Sequence, residues 1–121
     1  MTEYIVLIPD NEDTWAMADE ASKQAVYAKH GEFAQALADR GHKMTGGAEL
    51  TRAKEGHVVR RDETGLSITQ GPYAESAEQL SGFYVIESDD LDDLLQVVGI
   101  LAEGEGALEV RPCVDHAGDS A

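Results

Sequence analysis

Tyr4-Ile5-Val6-Leu7-Ile8 is an unbroken apolar run rich in β-branched residues, closed by Pro9. A strand with one wet face alternates apolar and polar side chains, whereas a run without alternation belongs to a strand covered on both faces. The fold must therefore place this strand inside a sheet and supply cover above and below it. A helical bundle, a closed single-chain barrel and a parallel dinucleotide-binding sheet are all disfavoured. At 121 residues the chain has room for one core and no independent second module. The expected layout is a single domain over 1–113 and a patternless, flexible tail over 114–121.

Beyond Pro9, which is expected to end the strand, Trp15 and Met17 mark a short helical turn. A long helix follows from about Asp19 to Arg40. Its apolar stripe is Val26, His30, Phe33 and Leu37, at spacings that fall on one helical face, and Gly41 supplies a left-handed stop. Met44 to Leu50, with Gly46-Gly47, reads as a short irregular strand. His57–Arg61 and Leu66–Thr69 flank a polar turn ending in Gly65 and form a hairpin. Gly71-Pro72 breaks the chain, Glu75 to Gln79 is expected to form one helical turn, and Gly82 to Ile86 is the next strand. Ser88-Asp89-Asp90 offers a cap and early carboxylates to a second long helix, whose apolar face is Leu91, Leu94, Leu95, Val98 and Leu101. Gly104 and Gly106 end it, and Leu108 to Pro112 alternates as a last strand.

With the hairpin set aside, this order is the split β-α-β plan of an α+β ferredoxin-like sandwich, a mainly antiparallel sheet with two helices on one face. The other face then needs cover, and in a small chain a homodimer, a ligand cleft or both provide it. Alternation is expected to turn Val85 and Leu108 toward the helices and Tyr84 and Arg111 toward the open face.

Acids outnumber bases, 24 Asp and Glu against 9 Lys and Arg, for a formal net charge of -15. No basic stripe overturns that sign, so nucleic acid and anionic membrane surfaces are unfavourable partners. The single cysteine, Cys113, has no intrachain disulfide partner and no CxxC neighbour, which points to a reducing, cytoplasmic setting. No signal-like start or membrane-length apolar run is present. The remaining histidines, His42, His57 and His116, have no metal-ligand spacing, and neither glycine pair forms a nucleotide-binding loop, so neither metal nor cofactor is expected.

Thr69-Gln70-Gly71-Pro72-Tyr73-Ala74-Glu75, followed by Glu78-Gln79-Leu80-Ser81-Gly82-Phe83-Tyr84-Val85-Ile86, resembles the naming motif and next strand of the YCII-related, or DGPF-domain, family. Tyr4 to Ile8, His30 to Leu50, Asp89 to Leu94 and Leu108 to Pro112 extend the resemblance over most of the chain. It implies a ferredoxin-like domain of the dimeric α/β-barrel type and no established reaction for most members. Some relatives in the wider superfamily are lyases or isomerases of small ring compounds. The family's candidate His-Asp pair corresponds to His30 and Asp10. Gln70 stands where the naming motif has an acid, and Tyr73 where it has Phe, so an activity needing that acid would be absent.

Read from the residues alone, His30 is either a hydrogen-bonded core imidazole or a general base, since its stripe turns it toward the sheet. Asp10, at a strand end, either orients it or caps the following turn. Glu75 and Tyr73 beside the Gly-Pro turn, Tyr84 on its strand and Arg111 on the last strand are the candidate ligand-binding residues. For Arg111 the competing reading is a structural ion pair, and for Tyr84 simple packing. The resulting expectation is a cofactor-independent lyase or isomerase of a small molecule, using His30 and Asp10. A non-catalytic ligand-binding or regulatory dimerisation module is the alternative.

Overall fold

The computed structural model describes residues 1–116. Along the chain run β1 (Thr2–Asn11), α1 (Glu12–Met17), α2 (Glu20–Asp39), β2 (Lys43–Glu49), a 3-10 turn (Ala53–Glu55), β3 (His57–Asp62), β4 (Gly65–Gln70), β5 (Glu78–Ser88), α3 (Leu91–Glu105) and β6 (Glu109–Pro112). Four of the strands form one sheet in the order β2-β5-β1-β6, with every pairing antiparallel. Without the β3-β4 hairpin this is the ferredoxin-like α+β topology, and the unalternating β1 lies between two neighbours as its composition requires.

β1 outlasts Pro9. The strand continues to Asn11 because a register shift falls between Ile8 and Pro9, and a bulge is where a residue without an N–H can be accommodated. The Ser81 hydroxyl donates to the Ile8 carbonyl at 2.9 Å beside that shift. β5 correspondingly starts at Glu78 rather than Gly82, pairing Gln79 with Asp10 and Leu80 with Pro9. The single helical turn expected over Glu75 to Gln79 does not form. Its end is drawn into the sheet, and the Gln79 amide donates to the carbonyls of Ala74 and Ser76.

The core lies between the sheet and helices α2 and α3. Tyr4 and Val6 of β1 and Ile86 of β5 meet Phe33 and Leu37 of α2 and Leu94, Val97, Val98 and Leu101 of α3. Each of these large side chains contributes about 1.5–3 kcal/mol by burial. On α3 the buried stripe includes Val97, while Leu91 and Leu95 are 38% and 44% exposed, so the apolar face is rotated from the expected one. Asp19 caps α2 by accepting the Ser22 N–H, and Asp90 caps α3 by accepting that of Asp93. Gly41, at φ 83°, terminates α2 as expected.

The alternation on β5 has the opposite phase to the expected one. Ile86 pairs with Tyr4 and Tyr84 with Val6, which puts Tyr84 on the helix-covered face, and it packs at 5.2 Å from the Phe33 ring. Val85 and Phe83, with Ile5 and Leu7 opposite them, occupy the other face and are half-buried. Leu108 does pack against the core, and Arg111, paired with Ile5, stands on the open face.

His42, just past α2, is buried and joins three elements. Its Nδ1 is 2.8 Å from the Ser88 hydroxyl at the end of β5, and its Nε2 is 2.7 Å from Asp93 in the first turn of α3. Arg40 holds the same Asp93 carboxylate. Among the described residues no helix is long and apolar enough to cross a membrane. Of the tail expected over 114–121, residues 117–121 lie outside the described residues.

Candidate functional site

A cavity of about 350 Å³ opens at the end of the sheet where β1 runs into α1. Its wall is built from Asp10 on β1, Trp15 on α1, Tyr27 and His30 on α2, Tyr84 on β5 and Glu105 at the end of α3. The extension of β1 past Pro9 places Asp10 there, and the Asn11 side chain caps α1 by accepting the Thr14 N–H at 3.0 Å. Trp15 then meets Tyr27 edge-on, with ring centroids 5.7 Å apart. The loop after β2 closes a further side. Arg52 pairs with Asp13 at 3.0 Å, and the Ala53 N–H donates to Glu12 at 2.8 Å.

Gly47 of β2 is the backbone device that permits this wall. Its φ is +155°, and a Cβ there would lie 2.7 Å from the Phe83 carbonyl oxygen and 2.8 Å from Tyr84 Cδ1. Only glycine lets β2 approach the Tyr84 ring so closely.

His30 sits between two partners. Its Nε2 is 2.8 Å from a Glu105 carboxylate oxygen and its Nδ1 is 2.6 Å from the Tyr84 hydroxyl. An ionised carboxylate only accepts, so Nε2 carries the proton of the neutral ring and Nδ1 accepts from the phenol. Tyr84, His30 and Glu105 thus form one continuous hydrogen-bonded chain along the cavity wall. The Tyr84 phenol is pushed above its usual value by burial and then by the Glu105 and Glu49 carboxylates, which keeps it a protonated donor. The Asp10 carboxyl is pushed up as well, first by burial and then by Glu105, against a lowering hydrogen bond from the Asn11 backbone. Tyr27, whose hydroxyl donates to Glu49 at 3.0 Å, is also raised, chiefly by that hydrogen bond.

His30, Asp10 and Tyr84 of the sequence-predicted residues meet in this cavity. The carboxylate hydrogen-bonded to His30 is that of Glu105, with Asp10 lining the same space. Tyr73, Glu75 and Arg111 lie elsewhere. Tyr73 is 83% exposed with the Arg60 guanidinium over its ring, Glu75 lines a shallow recess with Lys54 and Gln70, and Arg111 forms an ion pair with Glu109 at 3.6 Å.

Glu105, Trp15, Tyr27 and Glu49 were not singled out by sequence reasoning as site residues. For Glu105 a signal existed. The last turn of α3 has no basic residue but carries Glu103 and Glu105, and carboxylates at the negative end of a helix dipole are unfavourable unless something else holds them. Lys29 holds Glu103 at 2.7 Å, and His30 holds Glu105. Among the described residues no group of three His, Cys, Asp or Glu side chains is arranged to hold a metal ion.

The sequence model of the YCII-related domain matches residues 2–115, so the chain belongs to the YCII-related family. An uncharacterized protein of Rhizobium meliloti (strain 1021) is 29% identical over 104 residues, covering 84% of this chain and 75% of the relative.

Proposed function

We propose that the cavity binds a small molecule and moves protons to and from it without a cofactor, as a lyase or isomerase does. The observation that carries this reading is the Tyr84–His30–Glu105 chain lying along a cavity wall. His30 Nδ1 is the basic lone pair of that chain. When the Tyr84 oxygen takes a proton from the ligand, it passes its own proton to Nδ1, so the net movement is one proton from ligand to His30. Glu105, on Nε2, stabilises the imidazolium that forms and fixes the ring orientation. Return of the proton to a different ligand atom completes an isomerisation, and its delivery to a leaving group completes an elimination. Asp10, whose raised pKa suits a proton carrier, is a second acid-base group in the same space.

His30→Gln tests this reading, because glutamine keeps a donor for Glu105 and an acceptor for Tyr84 but cannot carry the proton. Turnover of a substrate found by screening should fall at least about 100-fold, the usual scale of a lost acid-base group, while the melting temperature stays within a few degrees. Unchanged turnover, or a strongly destabilised variant that still binds ligand normally, would contradict it.

A homodimer is part of the proposal. Ile5, Leu7, Phe83 and Val85 form an apolar strip on the sheet face away from the helices, which supports a second copy as cover. The same strip supports the second reading, a ligand-binding or regulatory dimerisation module without catalysis.

A further inference from the structure

Four carboxylates line the cavity, Asp10, Glu12, Glu49 and Glu105, against one guanidinium, that of Arg52. The guanidinium is already paired with Asp13. Neutral donors meet three of the carboxylates, Glu12 by the Ala53 N–H, Glu49 by the Tyr27 hydroxyl and Asp10 by the Asn11 backbone, while the His30 ring meets Glu105. Among the described residues none of the four forms an ion pair with lysine or arginine. Hydrogen bonds from neutral groups satisfy lone pairs but leave the negative charge in place, and apolar walls weaken its screening.

The field is therefore negative where a ligand would sit. Asp10 registers it, since Glu105, Glu78 and Glu12 each add to the upward push that burial gives its pKa. The aromatic surface has the same preference. Ring faces attract cations, and Trp15 already holds one, with Lys23 Nζ 5.6 Å from the ring centroid. A ligand carboxylate would have to enter past four carboxylates, with the one lining guanidinium, that of Arg52, already engaged by Asp13.

We infer that this cavity selects organic cations, specifically a primary amine on a small aromatic or cyclic body, with the ammonium among the carboxylates and the ring against Trp15, Tyr27 and Tyr84. The volume of about 350 Å³ suits a single ring with a short arm. The inference rests on the small-molecule reading above and adds the sign and class of the molecule.

Trp15 is the only tryptophan of the chain, so its emission reports occupancy of the cavity directly. Three probes with the same ring and closely matched arms separate charge from shape: 2-phenylethylamine, 2-phenylethanol and phenylacetate, titrated at neutral pH and moderate salt. The amine should bind at least about tenfold more tightly than the alcohol, a difference of about 1.4 kcal/mol, with phenylacetate weakest. Glu49→Gln, at an exposed position where folding is not at issue, should reduce the amine preference, and Asp10→Asn with Glu49→Gln should bring it below about threefold. Equal or tighter binding of the alcohol or phenylacetate, or an amine preference unchanged in both variants, overturns the inference and leaves the cavity standing as a binding site. Failure of all three probes to perturb Trp15 overturns the inference and counts against small-molecule binding as well.

Discussion

His30 and His42 each offer Nδ1 to a hydroxyl and Nε2 to a carboxylate: Tyr84 and Glu105 for the first, Ser88 and Asp93 for the second. By residue type the second is the more suggestive, since Ser, His and Asp are the members of a nucleophile triad. Its surroundings remove that possibility. Ser88 is 1% exposed, and its hydroxyl also accepts the Asp90 N–H at 3.0 Å. The His42 side chain is 3% exposed and Asp93 is shared with Arg40. No substrate atom can reach the Ser88 hydroxyl or the His42 ring. The His30 side chain is 22% exposed beside a cavity, and its partners also line that space. The same three functional groups act as a structural pin where they are closed and as a candidate proton path where they are open; access decides between them.

The largest effect that would break this comparison is on stability. His42→Ala leaves Ser88 and Asp93 without their shared partner and opens a small void, at a cost of roughly 2–4 kcal/mol. Thermal melts should show a fall of about 10 °C, with the surviving folded protein still binding probe at Trp15. A melting temperature within about 2 °C of wild type would remove His42 from its structural role.

Tyr84→Phe sharpens the other half. It deletes the cavity-side hydroxyl while keeping the ring on Phe33, so the melt should move by no more than about 3 °C. Catalysed proton transfer should fall by about 100-fold in single-turnover measurements. Undiminished transfer would take Tyr84 out of the proposed path.

The smallest effects are in the pH dependence, where the two regions carry opposite signs. Asp93 is held below its usual 3.8, first by the His42 hydrogen bond and then by Arg40. Its contribution is complete above pH 3.8 and is lost as pH falls through the lower folded-state value. Asp93→Asn should therefore lose a few degrees at neutral pH, with the gap to wild type closing in acid. Asp10 is raised above 3.8, so the folded protein holds its proton more tightly than the unfolded chain, and stability declines as pH rises through that higher value. Asp10→Asn should be more stable than wild type at neutral pH by about 1 °C and equal to it below pH 3.8. Matching pH profiles for the two variants would contradict the assignment of opposite environments.

Much of this architecture was legible in local pattern. The unalternating Tyr4 to Ile8 run fixed an inner strand, the stripe through Phe33 and Leu37 fixed the inward face of α2, and Gly41 fixed its end. What was not legible depended on partners distant in sequence. Pro9 reads as a stop, yet the bulge against β5 carries the strand to Asn11 and brings Asp10 to the cavity. Alternation along Phe83-Tyr84-Val85 leaves its phase undetermined, and pairing with Val6 decided that Tyr84 faces the helices. His30 was found from its helical stripe. Glu105 lies 75 residues further on and meets it only because α3 packs beside α2.

The most direct test of the two-histidine account is a side-chain nitrogen NMR titration of 15N-histidine-labelled protein with 2-phenylethylamine. The ring nitrogens of His30 should shift saturably as the cavity fills, while those of His42 stay fixed. Movement of the His42 signals with His30 unaffected would contradict the account, and equal movement of both would show that the closed and open sites are not separate.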